Sequence, residues 1–238
     1  MPFVRRAFAG AVLAMSTAVA LAQAPQVTVA VPATVVASDS NYSKDFRYQV
    51  QFADYLALRR QQPADLIFIG DSITEQFRWG PGNPVWKRFY EQRALNFGKG
   101  GDRTQHVLWR LDNQDVSWIH PKAAVLLIGT NNQQDTPEEI AEGVKAIIAK
   151  IQAKWPDTKI LLLSILPNAR QTERMVAADK LLPALADQKR VIYLDVTPRF
   201  PREGDSWKGL QPDKLHLTAQ GYEGLAEDVN AALSQLLK

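Results

Sequence analysis

Residues 65–74 read Asp65-Leu-Ile-Phe-Ile-Gly70-Asp71-Ser72-Ile73-Thr74, a short apolar run closed by glycine and followed at once by acidic and hydroxyl side chains. Four consecutive apolar residues with no polar alternation predict a strand buried on both faces, as in a parallel sheet. Similar runs recur at Ala94 to Phe97, Ala123 to Ile128, Lys159 to Leu166 and Arg190 to Leu194. Helical patterns separate them, over Pro84 to Tyr90, Thr104 to Leu111, Pro137 to Trp155 and Glu173 to Gln188, and a last one runs from Thr218 to Leu237. The third opens on Thr136-Pro-Glu-Glu139, a capping box in which Pro137 supplies the φ of the first helical turn. Strands alternating with helices predict a parallel sheet covered on both faces, with ligands held beyond the carboxyl ends of its strands.

The rest of the chain bounds what that site can be. It has 238 residues and no cysteine, which excludes disulfide frameworks, thiolate zinc sites and cysteine nucleophiles. Its 46% hydrophobic and 22% charged content is that of an ordinary globular protein. The net charge of +3 falls to +1 once Arg5 and Arg6 are set aside, so nothing points to nucleic acid. Those two arginines precede an apolar run from Ala7 to Ala22 and a small-x-small site at Ala22-Gln23-Ala24, which together predict a cleaved signal peptide over residues 1–24. The run is shorter than the ~20 apolar residues of a membrane span. A periplasmic or secreted product beginning at Pro25, without stable membrane insertion, is expected. Residues 25–40 read as an extended arm or linker, and 41–238 as one domain.

Four polar segments stand where the strands end or the last helix begins. They are Gly70-Asp-Ser72-Ile-Thr, Gly98-Lys-Gly-Gly101-Asp, Gly129-Thr130-Asn131-Asn and Asp213-Lys-Leu-His216. Ser72 at a strand-to-helix turn presents its hydroxyl at the sheet edge, but a serine needs a base. Of the three histidines, only His216 has an acid at a spacing that suits a turn, so Asp213 is expected to orient it and leave Nε2 free for the Ser72 proton. Ser72 N–H, a glycine N–H and an asparagine amide are suitable donors to an oxyanion, and Gly101 and Asn131 are the candidates. Each residue has a plainer reading when taken singly: a helix cap for Ser72, tight turns for the glycines, a loop cap for Asn131, a solvated acid for Asp213. His106 reads as a packed or surface residue and His120 as a structural one. Asp71 reads as holding the turn around Ser72. All four segments at the correct end of one alternating fold favour a hydrolase.

These four blocks resemble those of the SGNH hydrolases, also called GDSL esterases and lipases, over roughly Asp65 to Leu237. The stretch from Leu95 to Leu111, Leu-Asn-Phe-Gly-Lys-Gly-Gly-Asp-Arg-Thr-Gln-His-Val-Leu-Trp-Arg-Leu, is similar to the branch formed by the catalytic subunits of platelet-activating-factor acetylhydrolase Ib. The resemblance implies a three-layer α/β/α, flavodoxin-like fold with a five-stranded parallel sheet. It implies Ser72 as nucleophile, His216 as base, Asp213 as orienter, and Ser72, Gly101 and Asn131 as the oxyanion hole. It further implies that Ile73, Thr130 and Leu215 line an acyl pocket suited to acetyl or other short chains. No cofactor or metal is expected, and the partner is a small-molecule or polysaccharide acyl ester. A homodimer is compatible with the resemblance. Lys99 and Arg103 make the second loop basic, and solvated surface charge is their simplest reading.

Two other functions fit the sequence less well. Gly98-x-Gly100 begins like a dinucleotide fingerprint, but Arg103 occupies the third glycine position and no acid is placed for a ribose. A non-catalytic carbohydrate- or lipid-binding module has no use for an intact serine, aspartate and histidine. Among hydrolases, a lysophospholipase or lipase preferring longer acyl chains is the alternative.

Overall fold

In the computed structural model, which describes residues 31–39, 44–62, 64–170 and 173–238, five strands form one parallel sheet. They are β1 (Leu66–Gly70), β2 (Ala94–Gly98), β3 (Ala123–Leu127), β4 (Lys159–Leu163) and β5 (Val191–Leu194), in the spatial order β2-β1-β3-β4-β5. Every residue of β1, β2 and β3 is buried, as their apolar runs require, and Asn96 within β2 is satisfied by donating to the Thr74 carbonyl and accepting the Gly98 N–H. The register is continuous, with Gly70 opposite Gly98 on one side and Leu127 on the other. The segments that follow β1, β2 and β3 therefore emerge side by side.

Alternate residues of each strand feed two separate cores. Ile67, Ile69, Leu95, Phe97, Ala124 and Leu126 face one of them. There they meet α1 (Phe46–Arg59), α4 (Thr104–Asn113), α5 (Pro137–Lys154) and the short α6 (Glu173–Asp179). Leu66, Phe68, Ala123, Val125 and Leu161 face the other, under α2 (Ser72–Trp79), α3 (Asn83–Phe89) and α7 (Ala219–Leu236). The second core is aromatic where α2, α3 and α7 meet. Phe68, Phe77, Trp86 and Tyr90 pack edge-on or tilted with centroids 4.7–5.9 Å apart, the separation at which ring quadrupoles attract.

Several elements depart from the sequence reading. Helix α1 lies inside the domain, and its buried residues Tyr48, Phe52, Tyr55 and Arg59 recur at helical spacing on one face. The helix expected over Glu173 to Gln188 stops at Asp179 and resumes only as a 3-10 turn at Leu182–Leu185, because Pro183 cannot donate to the preceding turn. Two further strands, β6 (Arg202–Glu203) and β7 (Ser206–Trp207), form a small hairpin around Gly204. The expected signal peptide and the first part of the arm lie outside the described residues. Residues 31–39 of the arm hold a 3-10 turn at Ala33–Val35, whose buried Thr34 offers its carbonyl to Thr104 Oγ1 at 3.1 Å. Among the described residues, no helix is long and apolar enough to cross a membrane.

Candidate active site

Strand β1 delivers Ser72 to the sheet edge as the first residue of α2. The cap itself is Asp71, whose Oδ1 accepts the Ile73 N–H at 2.9 Å, so the Ser72 hydroxyl is not spent on capping. At this first helical position the Ser72 N–H has no acceptor within the helix. Its hydroxyl instead stands 2.9 Å from His216 Nε2. His216 Nδ1 lies 2.6 Å from Asp213 Oδ2, and Asp213 Oδ1 accepts the backbone N–H groups of both Leu215 and His216 at 3.0 Å.

That pattern requires a sharp bend between the acid and the base. Lys214 supplies it at φ +55°, in the left-handed region, and its ammonium pairs with Asp205 of the hairpin turn. Gln211 N–H donates to the His216 carbonyl at 2.7 Å, and Ala169 N–H donates to the Lys214 carbonyl at 2.8 Å. His216 is thus fixed at both flanks. Burial pushes the Asp213 carboxyl up, but the hydrogen bonds from the His216 ring and the two N–H groups outweigh it. The carboxyl is held below its ordinary value.

The glycine loop after β2 approaches from the other side. Gly98 packs so closely on α2 that a Cβ there would meet Glu75 N at 2.3 Å. Gly101 adopts φ +80°, and its N–H has no acceptor among the described residues. Asn131, from the loop after β3, donates from Nδ2 to the Asp102 carbonyl at 3.0 Å, which sets its amide beside Gly101. Its second amide hydrogen remains available. Two backbone N–H groups and one amide, near a hydroxyl bonded to an imidazole, form an arrangement able to attack an acyl carbon and receive the resulting negative charge.

Beneath this edge lies a buried polar layer that sequence reading missed. Arg110 and Asp102 are both fully buried and paired at 2.8 Å. Arg110 also reaches Gln114 and the Tyr48 hydroxyl and lies 4.2 Å over the Phe97 ring. Tyr48 in turn donates to the Gly98 carbonyl at 2.7 Å. Asp71 is fully buried too; burial, reinforced by the nearby Asp102, raises its carboxyl to about 7 against the hydrogen bond from Ile73 N–H. His106 accepts the Arg103 N–H on Nδ1 at 3.1 Å and is held below its usual value, chiefly by burial. It steadies the start of α4, and His120 is exposed.

Three expected pocket residues are not brought to the surface of the site. Ile73, Thr130 and Leu215 are only 1%, 2% and 3% exposed. Ile73 turns into the aromatic core with Phe77 because one helical step beyond Ser72 rotates the side chain by about 100°. These side chains do not form an open acyl wall. Lys99 also differs from its expected role: it pairs with Asp45 at 2.9 Å with only 12% of its side chain exposed, which is a structural bond and not a solvated charge. Among the described residues, no group of three or more histidine, aspartate or glutamate side chains is placed to hold a metal ion.

Comparison with known proteins agrees with this geometry. Residues 68–223 match the model of the GDSL-like lipase/acylhydrolase family. The chain is similar to platelet-activating factor acetylhydrolase IB subunit alpha2 of Rattus norvegicus, with 31% identity over 87% of this chain and 92% of that one. It is 32% identical to the alpha1 subunit of Homo sapiens, over 81% and 85% of the two chains. Among solved structures, a lipase/acylhydrolase from Enterococcus faecalis shares the fold with a TM-score of 0.59 at 22% identity, over 74% of this chain and 97% of that one.

Proposed function

The chain belongs to the GDSL-like lipase/acylhydrolase family, and on that premise we propose that it is a serine esterase that removes acetyl and other short acyl groups through an acyl-enzyme. One observation carries the mechanism: Ser72 Oγ, His216 and Asp213 form an unbroken hydrogen-bonded line of 2.9 Å and 2.6 Å. Ser72 Oγ attacks the ester carbonyl as His216 Nε2 takes its proton, and the carbonyl oxygen becomes an oxyanion facing Ser72 N–H, Gly101 N–H and Asn131 Nδ2. His216 then passes the proton to the leaving alcohol. Water, deprotonated by the same imidazole, releases the acid and restores the serine.

The short acyl preference is supported by the two acetylhydrolase relatives, whose names specify an acetyl group. The leader over residues 1–24 supports export to a periplasm or the medium, with the mature chain starting at Pro25. N-terminal sequencing of the expressed protein checks that start. The activity is tested with p-nitrophenyl acetate, butyrate and octanoate, comparing wild type with Ser72→Ala. Acetate turnover that falls on the order of 10⁶-fold in the variant is expected. Equal turnover in the two proteins would sink the mechanism, and faster cleavage of octanoate would replace the short-chain reading with a lipase one.

A further inference from the structure

We propose that Glu75 is a positioning residue for the oxyanion loop: one turn beyond Ser72, its carboxylate clamps the Gly100 peptide and thereby holds the Gly101 N–H where the oxyanion forms. The inference rests on the esterase reading above and deepens it. It starts from what Gly101 lacks. A Cβ built on Gly101 would have no heavy atom within 4 Å, so no neighbour crowds that face of the residue. Its φ of +80° belongs to a region glycine enters as readily as it leaves. Besides the hydrogen bond between the Gly101 backbone and the His106 ring, the bonds made by the two neighbouring residues set the direction of the Gly101 N–H.

On the downstream side, Asp102 is anchored three times. Its carbonyl accepts from Asn131, its carboxylate pairs with Arg110, and its N–H donates to the Lys99 carbonyl at 3.1 Å. On the upstream side, Glu75 is the side chain that holds Gly100: Oε2 accepts the Gly100 N–H at 2.6 Å. A Cβ on Gly100 would fall 2.8 Å from that oxygen and 3.8 Å from Ser72 Cβ, so the loop runs directly beside the nucleophile. Glu75 and Ser72 also share the rigid first turns of α2. One helix therefore carries both the attacking oxygen and the anchor that aims an oxyanion donor, which fixes their separation.

The chemistry of the clamp suits a carboxylate. A charged acceptor makes the stronger bond to a backbone N–H. Glu75 is half-buried, so holding an anion there carries a desolvation cost that a purely solvated role would not impose. Burial raises its carboxyl above the ordinary value, against the opposing Gly100 hydrogen bond and the nearby charges of Lys99 and Arg110.

The test compares Glu75→Ala and Glu75→Gln with wild type and Ser72→Ala. It reads kcat and KM for p-nitrophenyl acetate, hydrogen exchange of the Gly100 amide by NMR, and a melting curve for each protein. Glu75→Ala is expected to lower kcat about 10- to 100-fold with KM within about 2-fold, the pattern of a misaimed transition-state donor. The same variant should accelerate exchange at Gly100. Glu75→Gln keeps an oxygen at the same reach and should recover most of both. Should Glu75→Ala fail to fold, Glu75→Asp takes its place, because its carboxylate stops one methylene short of the loop.

An unchanged kcat would overturn the positioning role, and so would unchanged Gly100 exchange or a Gln variant no better than the Ala variant. Wild-type turnover no faster than that of Ser72→Ala would instead overturn the esterase reading, and this inference with it.

Discussion

Asn131 Nδ2 donates to the Asp102 carbonyl over 3.0 Å, which commits one amide hydrogen to the glycine loop and leaves the other uncommitted. On the proposed mechanism the residue has two duties, one held before substrate arrives and one met only as charge develops. Asn131→Ala removes both and should reduce kcat by roughly 10²–10³-fold with a smaller change in KM. Steady-state kinetics on p-nitrophenyl acetate decide it; a variant that raises KM alone would assign Asn131 to ground-state binding.

Asp213→Asn keeps an oxygen for the Leu215 and His216 N–H groups but presents the wrong partner to His216 Nδ1. A loss in kcat on the order of 10⁴ is expected from the analogous change in serine proteases. The pH dependence of stability follows from the depressed carboxyl. Its contribution is present above the ordinary value near 3.9 and is lost as pH falls through the lower folded value. Wild type and variant should therefore converge in melting temperature only in strongly acid solution, and a gap that persists there would contradict the assignment.

Asp71 behaves in the opposite sense, since its folded value is raised to about 7. Below about pH 4 folded and unfolded chains both hold the proton; between there and 7 only the folded chain does, so stability falls as pH rises through this window. Asn cannot ionise, and its side-chain oxygen can still accept the Ile73 N–H. Asp71→Asn should gain in melting temperature relative to wild type between about pH 5 and about pH 8. Parallel melting curves at the two pH values would refute the buried, proton-retaining carboxyl.

Lys214 at φ +55° sits between the acid and the base. Replacing it with glycine removes about 1 kcal/mol of left-handed strain and adds a comparable chain-entropy cost, so Lys214→Gly should be close to neutral in stability. A β-branched residue resists this conformation strongly. Lys214→Val should displace His216 and cut kcat by at least about 10-fold. Wild-type kinetics in the valine variant would show that the bend is set elsewhere.

The five strands were legible because a strand buried on both faces must be largely apolar, and β1, β3 and β4 announce themselves that way, while β2 does so despite Asn96. Helix α1 had a signal as well, the aromatic spacing of Tyr48, Phe52 and Tyr55, but polar and charged neighbours interrupt it. The two-residue strands β6 and β7 carry too little pattern to be read. Ser72, Asp213, His216, Gly101 and Asn131 could be singled out because they fall at strand ends and before α7, where spacing along the chain maps onto place. Ile73, Thr130 and Leu215 stand nearly buried although each adjoins a site residue in sequence, because a neighbour along a helix or a tight turn points its side chain elsewhere. Arg110 reads from sequence as one more helix-surface cation; only the fold reveals the buried carboxylate opposite it.

The distance along the chain between Ser72 and His216 sets an order of events. The proposed nucleophile leaves the ribosome early, with β1 and α2, while the proposed base immediately precedes α7, whose Tyr222, Leu225 and Val229 pack under the sheet. Until that final helix docks, Ser72 is an ordinary alcohol at the end of a strand. On the proposed mechanism a chain that lacks α7 would be catalytically silent, so activity would double as a report that this helix has been made and docked.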